Sequence, residues 1–204
     1  MTWKELFEKK RTELVLTILF LAILLIIFPR FLSYIEQRNA VVFRDPVLEM
    51  FTPVDLTEIT FALIYVSIIV AIIHFISIPE KLLIVLQAYS LMLVFRMIVM
   101  YVTPFDAPET TLPLNDPFVQ LFGSGEVLTK DLFFSGHTAT LFLLFLITEK
   151  RYLKIIFLIC TISVGISVLL QHVHYTVDVL SAPFFAYTSY RSVLVMKEIK
   201  FKLS

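Results

Sequence analysis

Residues 154–179 read KIIFLICTISVGISVLLQHVHYTVDV. From Ile155 to Leu170 the chain carries no charge, and two histidines and an aspartate follow at once: His172, His174 and Asp178. Another apolar stretch, LSAPFFAYTSY, comes next. A helix needs about twenty apolar residues to cross about 30 Å of hydrocarbon. An ionisable group at membrane depth is costly unless it is paired or used. The stretch therefore predicts membrane helices and a task for the polar groups where two of them meet.

The same pattern recurs along the chain. Apolar runs cover about 13–34, 57–77, 82–103, 131–149, 154–171 and 175–194. Short charged joins separate some of them, and two longer segments, about 35–56 and 104–130, hold most of the prolines and acids. The 204 residues are 58% hydrophobic and 17% charged, whereas soluble domains are about 45–50% apolar and about a quarter charged. The expectation is an all-α integral membrane protein: one domain over 1–204, a six-transmembrane-helix bundle whose helices satisfy their own backbone in lipid. The run at 13–34 continues into FPRFLSY without a small-residue cleavage site and reads as a retained span. Zero net charge gives no bulk electrostatic case for nucleic acid or an acidic partner, and no protein partner is implied. The single cysteine, Cys160, can form neither an intrachain disulfide nor a cysteine metal site.

Lysine and arginine bias sets the expected orientation. With both termini cytoplasmic, twelve of the seventeen Lys and Arg residues face the cytoplasm. Arg30, Arg38, Arg44, Arg96 and Lys130 lie at or toward the other side. The polar layer then falls just under the outer, exoplasmic, periplasmic or lumenal, surface. If span four starts at Asp131, His137 lies about 9 Å along it, and Asp178 lies about 6 Å along span six from His174. Arg96 enters the same layer from span three.

His174 and Asp178 are four residues apart, so on a helix they share a face. A carboxylate there can hold an imidazole N–H, fix its tautomer and sharpen the other nitrogen as a nucleophile; it could equally cap the helix. SGHT at 135–138 supplies a second half. Ser135 and Gly136 lie in the first turns of span four, whose N-terminal end has free backbone N–H groups that favour phosphate, and glycine allows close approach. Two positive helix ends, Arg96, an oriented His174 and a further His137 describe a phosphoryl-transfer pocket. One histidine attacks phosphorus and the other protonates the leaving oxygen. No carboxylate cluster or cysteine set points to a metal, and no cofactor is implied, so Arg96 and the helix ends must balance charge.

At these residues the chain resembles the membrane-bound lipid phosphate phosphatase superfamily, the type 2 phosphatidic acid phosphatases. General members carry Lys-x6-Arg-Pro, Pro-Ser-Gly-His and Ser-Arg-x5-His-x3-Asp. Here Phe134 stands in place of the proline before SGH, and Val168 stands where the phosphate-binding arginine would follow Ser167. DLFFSGHT, HVHYTVDV and RMIVMYVTPFDAP are more similar to the sphingomyelin synthase branch, over about 96–190. That resemblance implies a transferase that moves phosphocholine or phosphoethanolamine from a glycerophospholipid donor to ceramide or a similar lipid alcohol through a phosphohistidine. It implies His174 as nucleophile, Asp178 as its orienting group and His137 as acid and base, with diacylglycerol released. A hydrolase with water as acceptor is the alternative. A channel or transporter would place ionisable groups at the midplane, and the inner half here holds only His74.

Other candidates have ordinary readings beside the functional one. Tyr101 and the acids Asp106, Glu109, Asp116 and Glu126, with Phe105, Phe118 and Phe122, could receive a cationic head group or form a solvated loop. Asp131 could steady His137 or Arg96, or cap span four. His172 suits a supporting or loop role, and Ser135 could cradle phosphate or bond backbone. GSGE at 123–126 reads as a turn, Pro183 as a kink in span six, and the N-terminal TWKELFEKK as an interfacial helix.

Overall fold

In the computed structural model, which describes residues 1–114 and 128–203, every described element is helical apart from one isolated bridge between Val41 and Phe105. In chain order the helices are α1 (Trp3–Lys9), α2 (Arg11–Glu36), a single 3-10 turn (Leu48–Met50), α3 (Thr57–Ile76), α4 (Pro79–Val102), α5 (Gly136–Ile147), α6 (Arg151–Leu170) and α7 (Thr176–Leu203). The described residues are thus helical apart from that bridge and the connecting segments, and each predicted apolar run overlaps one of the helices α2 to α7.

Four of these, α2, α3, α4 and α6, are long and apolar enough to cross a membrane. Their exposed sides carry large hydrophobics such as Leu16, Phe20, Ile69, Ile73, Ile98 and Ile162, a surface that suits lipid rather than water. α5 differs from expectation. Its 12 residues span about 18 Å at 1.5 Å per residue, because residues 131–135 are not helical. The reason is packing. Phe134 is buried and stacks on Phe185 at 4.3 Å, while Phe133 sits edge-on to Phe105. α5 is also surrounded, packing on α3, α4, α6 and α7, with Leu141, Leu143, Leu144 and Ile147 all buried. A helix enclosed by protein need not match the bilayer.

Small residues let the helices close around it. Ala88, Ala139, Ala182 and Ala186 are completely buried, as small residues at membrane helix contacts are. A Cβ on Gly165 would sit 3.1 Å from Val179 Cγ1 and 3.7 Å from Thr138 Cγ2, so this glycine allows α6 to approach both α7 and α5. Between α3 and α6 runs a buried polar ladder. Thr57 Oγ1 donates to Gln171 Oε1 (3.0 Å), Gln171 Nε2 donates to Thr60 Oγ1 (3.3 Å), and Thr60 and Ser167 share a short hydroxyl contact.

Both chain ends gather at one end of the bundle. Lys10 pairs with Glu80, Lys197 with Glu13 and Lys81 with Glu149. There α1 begins with a capping box between Thr2 and Glu5, donates Trp3 Nε1 to the Ile76 carbonyl at 2.8 Å, and buries Leu6 with Leu14 and Leu83. At the opposite end the segments 38–51 and 104–114 form a roof. Val41 N donates to Pro104 O and Asp106 N to Val41 O. Tyr175, fully buried, fastens both segments: its hydroxyl donates to Asp106 O (2.8 Å) and accepts Phe43 N (3.1 Å).

Candidate active site

Beneath that roof the N-termini of α5 and α7 meet. Ser135 N donates to the Asp178 carbonyl at 3.1 Å, so the SGHT turn and the HVHYTVD turn share a hydrogen bond. On α7, Asp178 is completely buried, and its Oδ2 lies 3.3 Å from His174 Nδ1 and accepts Tyr175 N at 3.2 Å. The two readings of this aspartate therefore coincide: it closes the helix N-terminus from the third helical position and also faces the imidazole. His174 is itself buried and lies just before the helix. Asp178 Oδ1 is buried without a hydrogen-bond partner among the described residues.

On α5, Ser135 is the N-cap, and its hydroxyl meets Thr138 Oγ1 (3.1 Å) instead of a backbone amide. Gly136 holds the first helical position, and there the decisive approach occurs. A Cβ on Gly136 would lie 1.3 Å from Arg96 Nη1 and 2.5 Å from its Cζ. The Arg96 guanidinium thus lies directly on the α5 N-terminus. Arg96 is buried, its Nη2 donates to Asp131 Oδ1 at 2.6 Å, and its Cζ lies 5.7 Å from the centre of the Phe28 ring. Asp131, five residues ahead of α5, pairs with Arg96 and does not cap the helix. His137 follows Gly136 in the first turn, partly buried, with its ring edge-on to Phe61 at 6.0 Å.

The structure thus brings His174, Asp178, Ser135, Gly136, Arg96 and Asp131 into one chain of contacts, with His137 next to Gly136. Tyr101 is placed elsewhere. It is half-exposed, with the Arg38 guanidinium 4.8 Å over its ring and Arg38 Nη1 donating to its carbonyl. Asp106 pairs with Lys130 (3.3 Å), and Glu109 is exposed. Asp116, Glu126, Phe118, Phe122 and the GSGE turn lie outside the described residues. His172 turns away in a left-handed conformation (φ 56°), its Nδ1 2.5 Å from Thr110 Oγ1 and its carbonyl accepting Thr111 Oγ1. Burial holds the His172 pKa below the ordinary imidazole value, against the opposing pull of Asp45. Val168 is buried in the core, and His74 lies near the other end of α3 beside Phe75.

Two residues that the sequence reading passed over hold this arrangement. Tyr175 is one, its phenol joining the two roof segments. Asp45 is the other: buried, it accepts Thr176 N at 2.6 Å and Thr176 Oγ1 at 3.1 Å. Burial opposes its charge, but the hydrogen bonds from Thr176, Val47 and Leu48 outweigh it and leave the carboxyl below its usual range. Among the described residues no group of three or more His, Cys, Asp or Glu side chains converges as a metal site. A cleft of about 330 Å³ opens on α2, α4 and α7 between Glu13, Gln87 and Lys197, and none of these histidines lines it.

The model of the PAP2 superfamily C-terminal region matches residues 130–194. The match supports membership of the PAP2 superfamily. It spans both helix starts of the site, Ser135 to Thr138 and His172 to Asp178, and leaves Arg96 and Asp45 outside. No curated protein and no solved structure matches the chain. The similarity to that superfamily over 130–194 suggests an enzyme acting on phosphate esters, and the apolar helices fit a multi-pass membrane protein.

Proposed function

We propose that the protein is a lipid phosphohead-group transferase similar to the sphingomyelin synthases. It moves phosphocholine or phosphoethanolamine from a glycerophospholipid to ceramide or a related lipid alcohol. The observation that carries this reading is the contact between the two helix starts, with a carboxylate-held His174 on one and the Arg96 guanidinium pressed onto the other.

In the first step His174 Nε2 attacks phosphorus. The P–N bond forms as the P–O bond to diacylglycerol breaks, and His137 gives its proton to the departing oxygen. Asp178 keeps the Nδ1 proton of His174 in place and balances the charge that grows on the ring. In the second step His137 takes the proton of the acceptor hydroxyl, the P–N bond breaks and a new P–O bond forms. Arg96 and the α5 N-terminus offset the charge on the phosphoryl oxygens.

One feature favours transfer between lipids over hydrolysis, and a second favours a phosphodiester over a phosphomonoester substrate. The roof of 38–51 and 104–114, fastened by Tyr175, covers the outer end and limits water. Val168 belongs to the apolar core where general members carry a second arginine, and a dianionic monoester wants more cationic partners than Arg96 alone. In this reading six helices, α2 to α7, cross the bilayer with both termini cytoplasmic and the site toward the exoplasmic, periplasmic or lumenal face.

The test is lipid mass spectrometry on purified protein given phosphatidylcholine and phosphatidylethanolamine, with and without ceramide. A phosphohead-ceramide with equimolar diacylglycerol supports the transferase. Head group released to water irrespective of ceramide would replace it with the hydrolase, and no turnover of any phosphodiester lipid would refute both.

A further inference from the structure

Asp45 lies on the roof segment between α2 and α3, 131 residues from Thr176. Its Oδ1 accepts Val47 N at 3.0 Å, an Asx turn that fixes the carboxylate locally. Its two oxygens also take the amide and the hydroxyl of Thr176, the first residue of α7. His174 stands two residues before Thr176 and Asp178 two residues after. Tyr175, between them, is held at its amide by Asp178 and at its hydroxyl by Asp106 O. Consecutive amides of the turn that carries the proposed nucleophile are therefore clamped by two different carboxylates, one local and one from the roof.

The His174 to Asp178 separation of 3.3 Å is longer than the range of about 2.7–2.9 Å for a charge-assisted hydrogen bond. A small rotation of the first turn of α7 would break it, so its survival depends on how residues 175 and 176 are held.

We infer that Asp45 is a positioning residue for His174: by fixing Thr176 from the roof it keeps the imidazole on Asp178. This deepens the reading of His174 as nucleophile and rests on it. It also couples closure of the roof to the alignment of the reacting group, since the carboxylate that aligns α7 belongs to the cover of the site.

The test compares full-length wild type with D45A, D45N and T176V. Hydrogen–deuterium exchange of a peptide spanning 172–179 reads the geometry, and turnover of a fluorescent phosphodiester lipid with ceramide reads the consequence. D45A should exchange faster there and lose about 10- to 100-fold in kcat, the scale of a small misplacement of a reacting group, with KM within about two-fold of wild type. D45N keeps only one acceptor oxygen, and its NH2 must face either Thr176 N or Val47 N, so it should recover at most part of that loss. T176V, which removes only the hydroxyl bond, should lose about three- to ten-fold, and it carries the turnover arm if D45A does not fold.

Unchanged exchange in the variants would overturn the inference. So would faster exchange with wild-type kcat per folded molecule. A wild type without turnover on any phosphodiester lipid would sink the proposed function, and the exchange arm would still decide whether Asp45 holds this turn.

Discussion

Gly136→Ala tests whether the Arg96 guanidinium rests on α5 for the sake of chemistry. The added Cβ would stand 1.3 Å from Nη1, 2.5 Å from Cζ and 3.1 Å from Nη2 of Arg96. The obstructing atoms end a flexible side chain, so the guanidinium must move while the backbone stays. Moving it stretches the 2.6 Å bond to Asp131. The Asp131 side chain is 30% exposed, so water takes up part of its solvation and the loss falls near the lower end of the range of about 1.5–3 kcal/mol for a charged hydrogen bond. Alanine's helix preference over glycine, at most about 1 kcal/mol, offsets part of that. The net destabilisation is about 1 kcal/mol, or about 2–4 °C in melting temperature for a chain of this size. Turnover should suffer far more, because removing one preorganised donor to a developing anion costs about 10²–10³ in rate. The assay is lipid-product mass spectrometry on detergent-purified G136A, R96A and the double variant. If Gly136 acts by seating Arg96, the double variant is no worse than R96A, a complete failure of additivity. Wild-type turnover in G136A, or two losses that simply multiply, would refute the reasoning.

Three further outcomes are expected. H174A and H137A should each abolish turnover in folded protein, while H172N, with a side chain that tolerates the left-handed backbone and can still meet Thr110, should keep it; an inactive H172N would move the chemistry to the wrong histidine. The folded pKa of His172 lies below the ordinary 6.5, so the unfolded chain takes up the proton first, and stability present above about pH 6.5 is lost as pH falls through the folded value. Thermal melts should show a steeper fall from about pH 7 to about pH 5 in wild type than in H172N, and equal slopes would count against this origin. Q171L, which strips the ladder of both bonds of a fully buried amide, should cost about 1–3 kcal/mol in denaturant or thermal unfolding, and a variant as stable as wild type would show the ladder to be idle.

How much of this was legible in the sequence depends on the range of the interaction. The helices follow from the apolar runs, since hydrocarbon-length patterns are local and strong. The start of α5 does not, because Phe133 and Phe134 look like helix continuation in the sequence, yet their rings are taken by Phe105 and Phe185, and the chain enters the helix only at Gly136. The pairing of His174 with Asp178 is legible from a spacing of four. That of Arg96 with Asp131 was one of several open choices, decided by a tertiary approach that only glycine at 136 permits. Asp45 and Tyr175 went unread for a related reason. Asp45-Pro46 signals a turn, and the Val47 N–H bond fulfils it, but nothing local says that the same carboxylate reaches Thr176 across 131 residues.

The electrostatics also differ from a pocket built on two equal helix ends. At α7 the first amides are already committed, Tyr175 N to Asp178 and Thr176 N to Asp45, and two carboxylates stand where a phosphate was expected. The positive field must then come from α5 and Arg96. A guanidinium against a helix N-terminus is repulsive by itself, since both ends are positive. Asp131 makes the arrangement tenable, and an anionic substrate oxygen would be drawn to the same place. One guanidinium and one helix end, with a carboxylate already bound to the former, suit a phosphodiester with a single negative charge better than a dianionic monoester. That charge count favours a phosphodiester over a phosphomonoester substrate, and it comes from the residues that hold the site as much as from the two histidines within it.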